Sequence, residues 1–225
     1  MPRIARIVVP ECPHHITQRG GRRQRVFFCD EDKILYIRLL KHHGEKHHIS
    51  FLCYCLMENH VHLVAVPRFT WSLTRGIGEA HKKYAIMVNT RENWKGHLWQ
   101  ARFSSYPLDE EHLFRSVRYI ERNPVKAGIV SRAEDYMWSS ARAHVQKKTD
   151  PILSDSDLFT GIDDWSSFLK EDLSETETNL LRDHERSGRP LGEESFISQI
   201  EEMTGRVLRP RKRGRKKGKG CTVTN

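Results

Sequence analysis

Long hydrophobic runs are missing from this 225-residue chain, and no apolar stretch approaches the ~18 residues that a membrane span needs. The N-terminus has arginines but no apolar segment of the kind that drives secretion, so the expectation is a cytoplasmic protein with no membrane partner. Cysteine is scarce: five residues, an odd number, two of them in the string CYC at 53–55. That excludes a dense disulfide framework, and Cys53 and Cys55 are expected as reduced core thiols. No internal repeat is visible, which excludes a solenoid. Acidic residues are absent from 206–225, and apolar ones nearly so, which excludes independent folding of that segment.

What is present is charge in blocks. Residues 1–145 carry a net +9, residues 146–205 a net −9 and residues 206–225 a net +9. Three units follow from this: a basic domain at 1–145, an acidic helical region at 146–205 and a disordered basic tail at 206–225. Twelve of the 13 histidines fall in the first unit, so the chemistry is expected there.

The string HHITQRGG at 14–21 reads as a short strand ending in a Gly-Gly turn. Residues 30–48 read as a helix capped by Asp30, with acids in its first turn and Lys and His in its last. Residues 49–67 read as two strands around a tight turn near Glu58 and Asn59. A helix follows over 70–92, with Thr70 or Ser72 near its cap; then a loop and strand over 93–108; then a helix over 109–124, capped by Asp109 and stopped by Pro124. The first six elements make βαββαβ, an α+β ferredoxin-like antiparallel sheet with two helices on one face, followed by one more helix and a small helical C-terminal region.

In MENHVHLVAVP (57–67), His60 and His62 are two apart on a strand and point to one side, while Val61 and Leu63 point to the other. Tyr119 and Asn123 are four apart and share a helix face. Imidazoles and an amide oxygen can ligate a divalent cation, and a phenol can attack phosphorus. Together these are the parts for metal-assisted attack on a phosphodiester.

ENHVHLV resembles the histidine-hydrophobe-histidine motif of the HUH single-strand endonucleases, and YIERNPVKAGIV resembles the nucleophile helix of the single-tyrosine transposases. HLWQARFSS, WSSARAH and the segment from SGRPLGEESF to the basic tail are similar to the REP-associated tyrosine transposase branch. The resemblance implies that His60, His62 and Asn123 bind Mg²⁺ or Mn²⁺. Asparagine stands where the wider family usually has glutamine, a shorter reach. It further implies that Tyr119 cuts single-stranded DNA beside a hairpin, leaving a 5′-phosphotyrosine and a free 3′-OH. The chain would act as a monomer or a homodimer. A catalytically idle hairpin-binding regulator is the alternative; a relaxase or replication initiator would bring a helicase or partner domain, and none is visible.

A zinc site of Cys53, Cys55, His60 and His62 competes for the same histidines, and the turn decides it. A two-residue turn at 58–59 sets Cys55 across from His62, and a three-residue turn does not. Tyr84 and Tyr106 are fallback nucleophiles. His14, His15, His42, His43, His47 and His48 are expected at the surface or at helix ends, and His81 and His97 are placed near DNA. Trp99, Phe103 and Tyr106 either stack on bases or pack the core. Phosphate contacts are assigned to Arg19, Arg22, Arg23, Lys82, Lys83, Arg102 and Arg118, and in the tail to Arg209, Arg211, Lys212, Arg213, Arg215, Lys216 and Lys217. Without DNA the tail would clasp the acidic block of its own chain.

Overall fold

A computed structural model describes residues 4–209; Arg211, Lys212, Arg213, Arg215, Lys216 and Lys217 lie outside the described residues. Strands β1 (His14–Arg19), β2 (Ile49–Met57), β3 (His60–Pro67) and β4 (Ser104–Pro107) form one antiparallel sheet in the order β2-β3-β1-β4. That is the ferredoxin-like order. Helices α1 (Asp30–Lys46) and α2 (Ser72–Arg91) cover one face, where Tyr36, Leu40, Ile77 and Tyr84 pack on Ile16, Val61 and Leu63. The opposite face is also covered: Cys53, Cys55, Val64 and Tyr106 pack under α3 (Glu110–Glu121).

The remaining described helices are α4 (Asn123–Lys126), α5 (Ala141–Gln146), α6 (Trp165–Lys170), α7 (Glu175–Ser187) and α8 (Glu194–Thr204). Trp165 of α6 and Leu181 of α7 join the same apolar cluster as α3, so the acidic region shares a core with the sheet. A full capping box, Ser174 with Glu177, starts α7. No described helix is long and apolar enough to cross a membrane.

The β2–β3 hairpin has the two-residue turn, with Met57 paired to His60 and Cys55 to His62. A bulge between Phe51 and Cys53 absorbs one residue, so that Ile49 and Phe51 face α1 and α2 along with Tyr54 and Leu56. The turn is held from outside: the Glu58 carbonyl accepts from Val26 N at 2.8 Å, and the Asn59 carbonyl from Gly20 N at 2.9 Å. Gly20 is required by this close approach, since a Cβ there would stand 2.3 Å from the Gln24 carbonyl oxygen.

Several expectations need correction. The helix expected over 109–124 ends at Glu121, because Pro124 has no N–H to continue it. Asn123 therefore opens α4. Arg122 between them stays near-helical (φ −83, ψ −3), and Lys126 N still bonds the Arg122 carbonyl at 2.9 Å, so Asn123 remains on the Tyr119 side. The α2 N-cap is Trp71, between Thr70 and Ser72 as expected, but with no side-chain cap bond. His14 and His15 are buried in β1 rather than at the surface, held by tertiary packing that local sequence does not encode, while His43 and His47 stand at the end of α1 as expected but are buried there. His81 is buried against Tyr36 and Trp99. Trp99, Phe103 and Tyr106 are core residues, which leaves no ring of theirs for a base. Tyr84 is buried and donates to the Val26 carbonyl at 2.6 Å, so it cannot serve as a nucleophile.

Candidate active site

The strand pair β1–β3 and the α3–α4 junction meet at one cavity of about 840 Å³. Arg19, Arg23, His60, Tyr119 and Asn123 line it together with Lys126, Arg182 and Arg186. Tyr119 gets there because Leu113, Val117 and Ile120 fix α3 against the sheet and turn Tyr119 to its flank, half-buried. The Asp109 carboxylate caps that helix, accepting from His112 N at 2.9 Å.

The His62 ring stands edge-on to His60 with centroids 5.0 Å apart, and edge-on to Tyr119 at 5.5 Å. The Asn123 side chain lies close enough to His60 to raise its imidazole pKa, against the larger effect of burial. The other side of His60 is fixed by its own turn, with Nδ1 2.6 Å from Asn59 Oδ1. Two strand imidazoles, a phenol and a carboxamide thus converge across elements far apart in the chain.

Burial holds His60 down to about 4, with Arg19 adding to the effect, and holds His62 well below the usual imidazole range. Both are neutral at neutral pH, the form that ligates metal. Burial raises the Tyr119 phenol, and a hydrogen bond from the Arg182 guanidinium partly offsets it.

The donor set fits a divalent cation. His62 Nε2 is buried and has no hydrogen-bond partner. Its Nδ1 is engaged, 3.0 Å from His15 Nε2 and 3.2 Å from Thr17 Oγ1. His15 Nδ1 in turn lies 2.8 Å from Tyr106 Oη, which donates to the Leu181 carbonyl. With the Tyr106 hydroxyl donating to the Leu181 carbonyl, Tyr106 accepts from His15 Nδ1 and His15 Nε2 accepts from His62 Nδ1. His62 Nε2 is left with a bare lone pair inside the protein.

Zinc on the two cysteines does not fit, although Cys55 does stand across from His62. Cys53 and Cys55 are fully buried, and burial pushes both thiols well above their usual range. Among the described residues neither belongs to a three-ligand group; the one such group is His43, His47 and Glu79, between α1 and α2.

A family model described as IS200-like transposase matches residues 8–123, just over half of the chain. The chain belongs to the IS200-like transposase family. This IS200-like transposase is similar in structure to a REP-associated tyrosine transposase bound to a REP hairpin. The identity is 16% and the TM-score 0.52, covering 69% of this chain and 93% of the other. That likeness is one of fold. It is also similar to a Deinococcus radiodurans protein provisionally classed as a transposase, at 18% identity and TM-score 0.36, covering 53% of this chain and 96% of that one. No curated protein matches it.

The basic residues of the transposase divide into groups. Arg19 and Arg23 line the cavity, and Arg22 is exposed beside them. Lys82 and Arg102 line a second groove of about 600 Å³ with His97, along α2; Lys83 is exposed on the same helix. Arg118 is not available for phosphate: it donates to the Phe168 carbonyl at 3.0 Å, pairs with Glu171 at 2.8 Å and stacks on the Phe168 ring. Arg209 is likewise engaged by Glu194 at 2.6 Å and by Glu201, acids of its own chain. Sequence reasoning missed Lys126, Arg182, Arg186 and His15. Lys126 sits within the nucleophile-helix string, but nothing local marks Arg182 or Arg186, which α7 brings from the acidic region.

Proposed function

We propose that this transposase cuts single-stranded DNA beside a hairpin and rejoins it. Tyr119 is the nucleophile, and His60, His62 and Asn123 hold Mg²⁺ or Mn²⁺. The observation that carries the reading is Tyr119, His60 and Asn123 lining one basic cavity, with the Tyr119 ring 5.5 Å from that of His62 behind it. When bound, the cation polarises a phosphate oxygen and stabilises the charge that develops on it. Two imidazoles with one amide oxygen suit Mn²⁺ better than Mg²⁺, which prefers oxygen alone.

The chain's own residues do the rest. Arg182 hydrogen-bonds the phenol and favours its ionised form. Tyr119 Oη forms a bond to phosphorus as the bond from phosphorus to the 3′ oxygen breaks. That oxygen leaves as a free 3′-OH, and the 5′ phosphate stays on the tyrosine. A second 3′-OH reverses the step, so the phosphodiester is conserved and no nucleotide cofactor is consumed. Gln100 lines both the cavity and the groove along α2, which supports a strand path from Tyr119 towards Lys82 and Arg102. The similar solved structure is described as bound to a REP hairpin, which supports hairpin DNA as the substrate class. In this reading residues 1–145 form the catalytic domain, the 146–205 region lends Arg182 and Arg186 to its cavity, and the 206–225 tail adds non-specific affinity.

The test is a denaturing gel for a covalent protein–DNA adduct on single-stranded hairpin substrates with Mn²⁺. The adduct forms with the wild type, and Tyr119→Phe abolishes it while hairpin binding persists. Hairpin binding without any adduct in the wild type would instead mark the chain as an idle binder.

A further inference from the structure

The last turn of α1 and the first half of α2 hold a cluster that the strand-transfer reading does not use. His43 and His47 are one helical turn apart, and Glu79 reaches them from α2. Glu79 Oε2 lies 3.2 Å from His43 Nδ1 and 3.2 Å from His47 Nε2. One donor atom from each of the three residues falls within 4.8 Å of the other two. A tetrahedral ion with bonds of about 2.0–2.1 Å separates its ligands by about 3.3 Å, close to the 3.2 Å between Glu79 Oε2 and each imidazole.

We propose that His43, His47 and Glu79 form a second cation site, for a borderline divalent metal of the Zn²⁺ class, that pins α1 to α2. Both ring nitrogens of His43 are buried, and neither has a hydrogen-bond partner, because the 3.2 Å approach to Glu79 lacks hydrogen-bond alignment. An imidazole wholly inside the protein with no bond is costly unless something else takes its lone pair. His43 Nδ1 lies beside the carboxylate oxygen that His47 also meets, and the two rings are parallel within 5°.

The packing is built for this approach. A Cβ on Gly76 would stand 3.1 Å from the His43 carbonyl oxygen and 3.3 Å from His47 Cβ. The same Cβ would stand 2.4 Å from Ile49 Cδ1, so glycine eases the close approach of α2, and Glu79 follows three residues later on the same face. Burial, with His42 beside it, holds His43 below its usual range and so neutral. Lys46 stands 4.0 Å from Glu79 Oε2, an exposed ammonium that solvent accepts when the metal enters. The Glu79 side chain is 43% exposed, which leaves a fourth position for water. Two imidazoles and one carboxylate select Zn²⁺ or Co²⁺ over Mg²⁺.

The test uses full-length untagged protein with His60→Ala and His62→Ala, which removes the strand-transfer site from the count. Zn²⁺ is titrated by calorimetry, and Co²⁺ by its visible absorption. One equivalent of Zn²⁺ binds, Co²⁺ gives the intense bands of a tetrahedral site, and the melting temperature rises with Zn²⁺. Glu79→Gln and His43→Gln each abolish uptake and the thermal shift, while Mg²⁺ produces neither. Glu79 is at the surface, so its variant keeps the test valid if His43→Gln fails to fold by circular dichroism. No Zn²⁺ uptake in the doubly substituted protein overturns the site. So does uptake that survives Glu79→Gln, or that follows the exposed His42 or His48 instead.

Discussion

His15 Nε2 lies 3.0 Å from His62 Nδ1, and this bond decides which nitrogen of His62 is left for a ligand. The pair is buried, and Tyr106, 2.8 Å from His15 Nδ1 and 3.3 Å from the Leu181 carbonyl, backs it from behind. His15→Leu therefore frees the His62 tautomer and lets the ring turn. Such partners behind a metal ligand typically contribute about 10–100-fold. Adduct formation falls by about that factor, Mn²⁺ affinity by calorimetry falls with it, and metal-free hairpin binding is unchanged. Tyr106→Phe acts in the same direction by a smaller factor. Wild-type cleavage and Mn²⁺ affinity in a folded His15→Leu protein would show that the relay has no bearing on the site.

Arg182 is the cation that meets the Tyr119 hydroxyl. Burial raises the phenol above its usual range, and the guanidinium pulls it back, so removing Arg182 leaves burial opposed only by the more distant charge of Arg19. Arg182→Ala moves the phenol further up, and at any fixed pH below it fewer molecules carry the phenolate. Each unit of that shift costs about tenfold in ionised fraction. The rising limb of cleavage rate against pH then moves to higher pH, and Arg182→Lys recovers part of the loss. A pH profile that keeps its position after Arg182→Ala would contradict the assignment.

Five cationic side chains and one carboxylate, Glu185, line the cavity around Tyr119. Hairpin affinity is therefore expected to fall steeply with salt. Each phosphate contact removed should lower the slope of log affinity against log salt by about one. Arg19→Ala and Arg23→Ala each produce that change. Arg118→Ala leaves the slope alone, because its guanidinium is already spent on Glu171 and the Phe168 carbonyl. Fluorescence anisotropy between low and moderate salt separates the two classes, and an Arg118→Ala slope change equal to that of Arg19→Ala would refute the division.

The ferredoxin-like plan was legible because its signals are local. Val61 and Leu63 alternate with His60 and His62, Asp109 precedes a helical stripe of Leu113, Val117 and Ile120, and Pro124 ends it. The grouping of His60, His62, Tyr119 and Asn123 was legible through two short motifs, since neighbouring residues on a strand or helix face stay neighbours in the fold. Burial of His14 and His15 was not legible. A strand with both faces covered buries consecutive residues, and the covering helix α7 lies far along the chain. Arg182 was hidden for the same reason, within a region whose net charge is acidic. Arg118 looked free in the sequence because its partners, Glu171 and Phe168, are brought to it only by tertiary packing.

Asp32, in the first turn of α1, and Arg91, in the last turn of α2, fasten the opposite end of the same helix pair. Arg91 Nη2 donates to Asp32 Oδ2 at 3.1 Å, with a second bond from Nη1 to Oδ1, and Phe28 N donates to Oδ2 at 2.8 Å. Burial raises the Asp32 carboxyl, but these bonds and the Arg91 charge outweigh it, and the net position is below the usual range. A carboxyl lowered on folding stabilises the folded state wherever both states are ionised, which includes neutral pH. As pH falls past the ordinary aspartate value of about 3.9, the unfolded chain takes up its proton first and the contribution shrinks. It is gone once pH passes below the folded value. Asp32→Asn removes this term at every pH, so the stability gap between wild type and variant is full at pH 7 and narrows below about pH 4. Urea midpoints from pH 7 to pH 3 read that gap directly. Curves that stay parallel down to pH 3 would show that Asp32 is not lowered on folding and that the Arg91 pair does not fasten these helices.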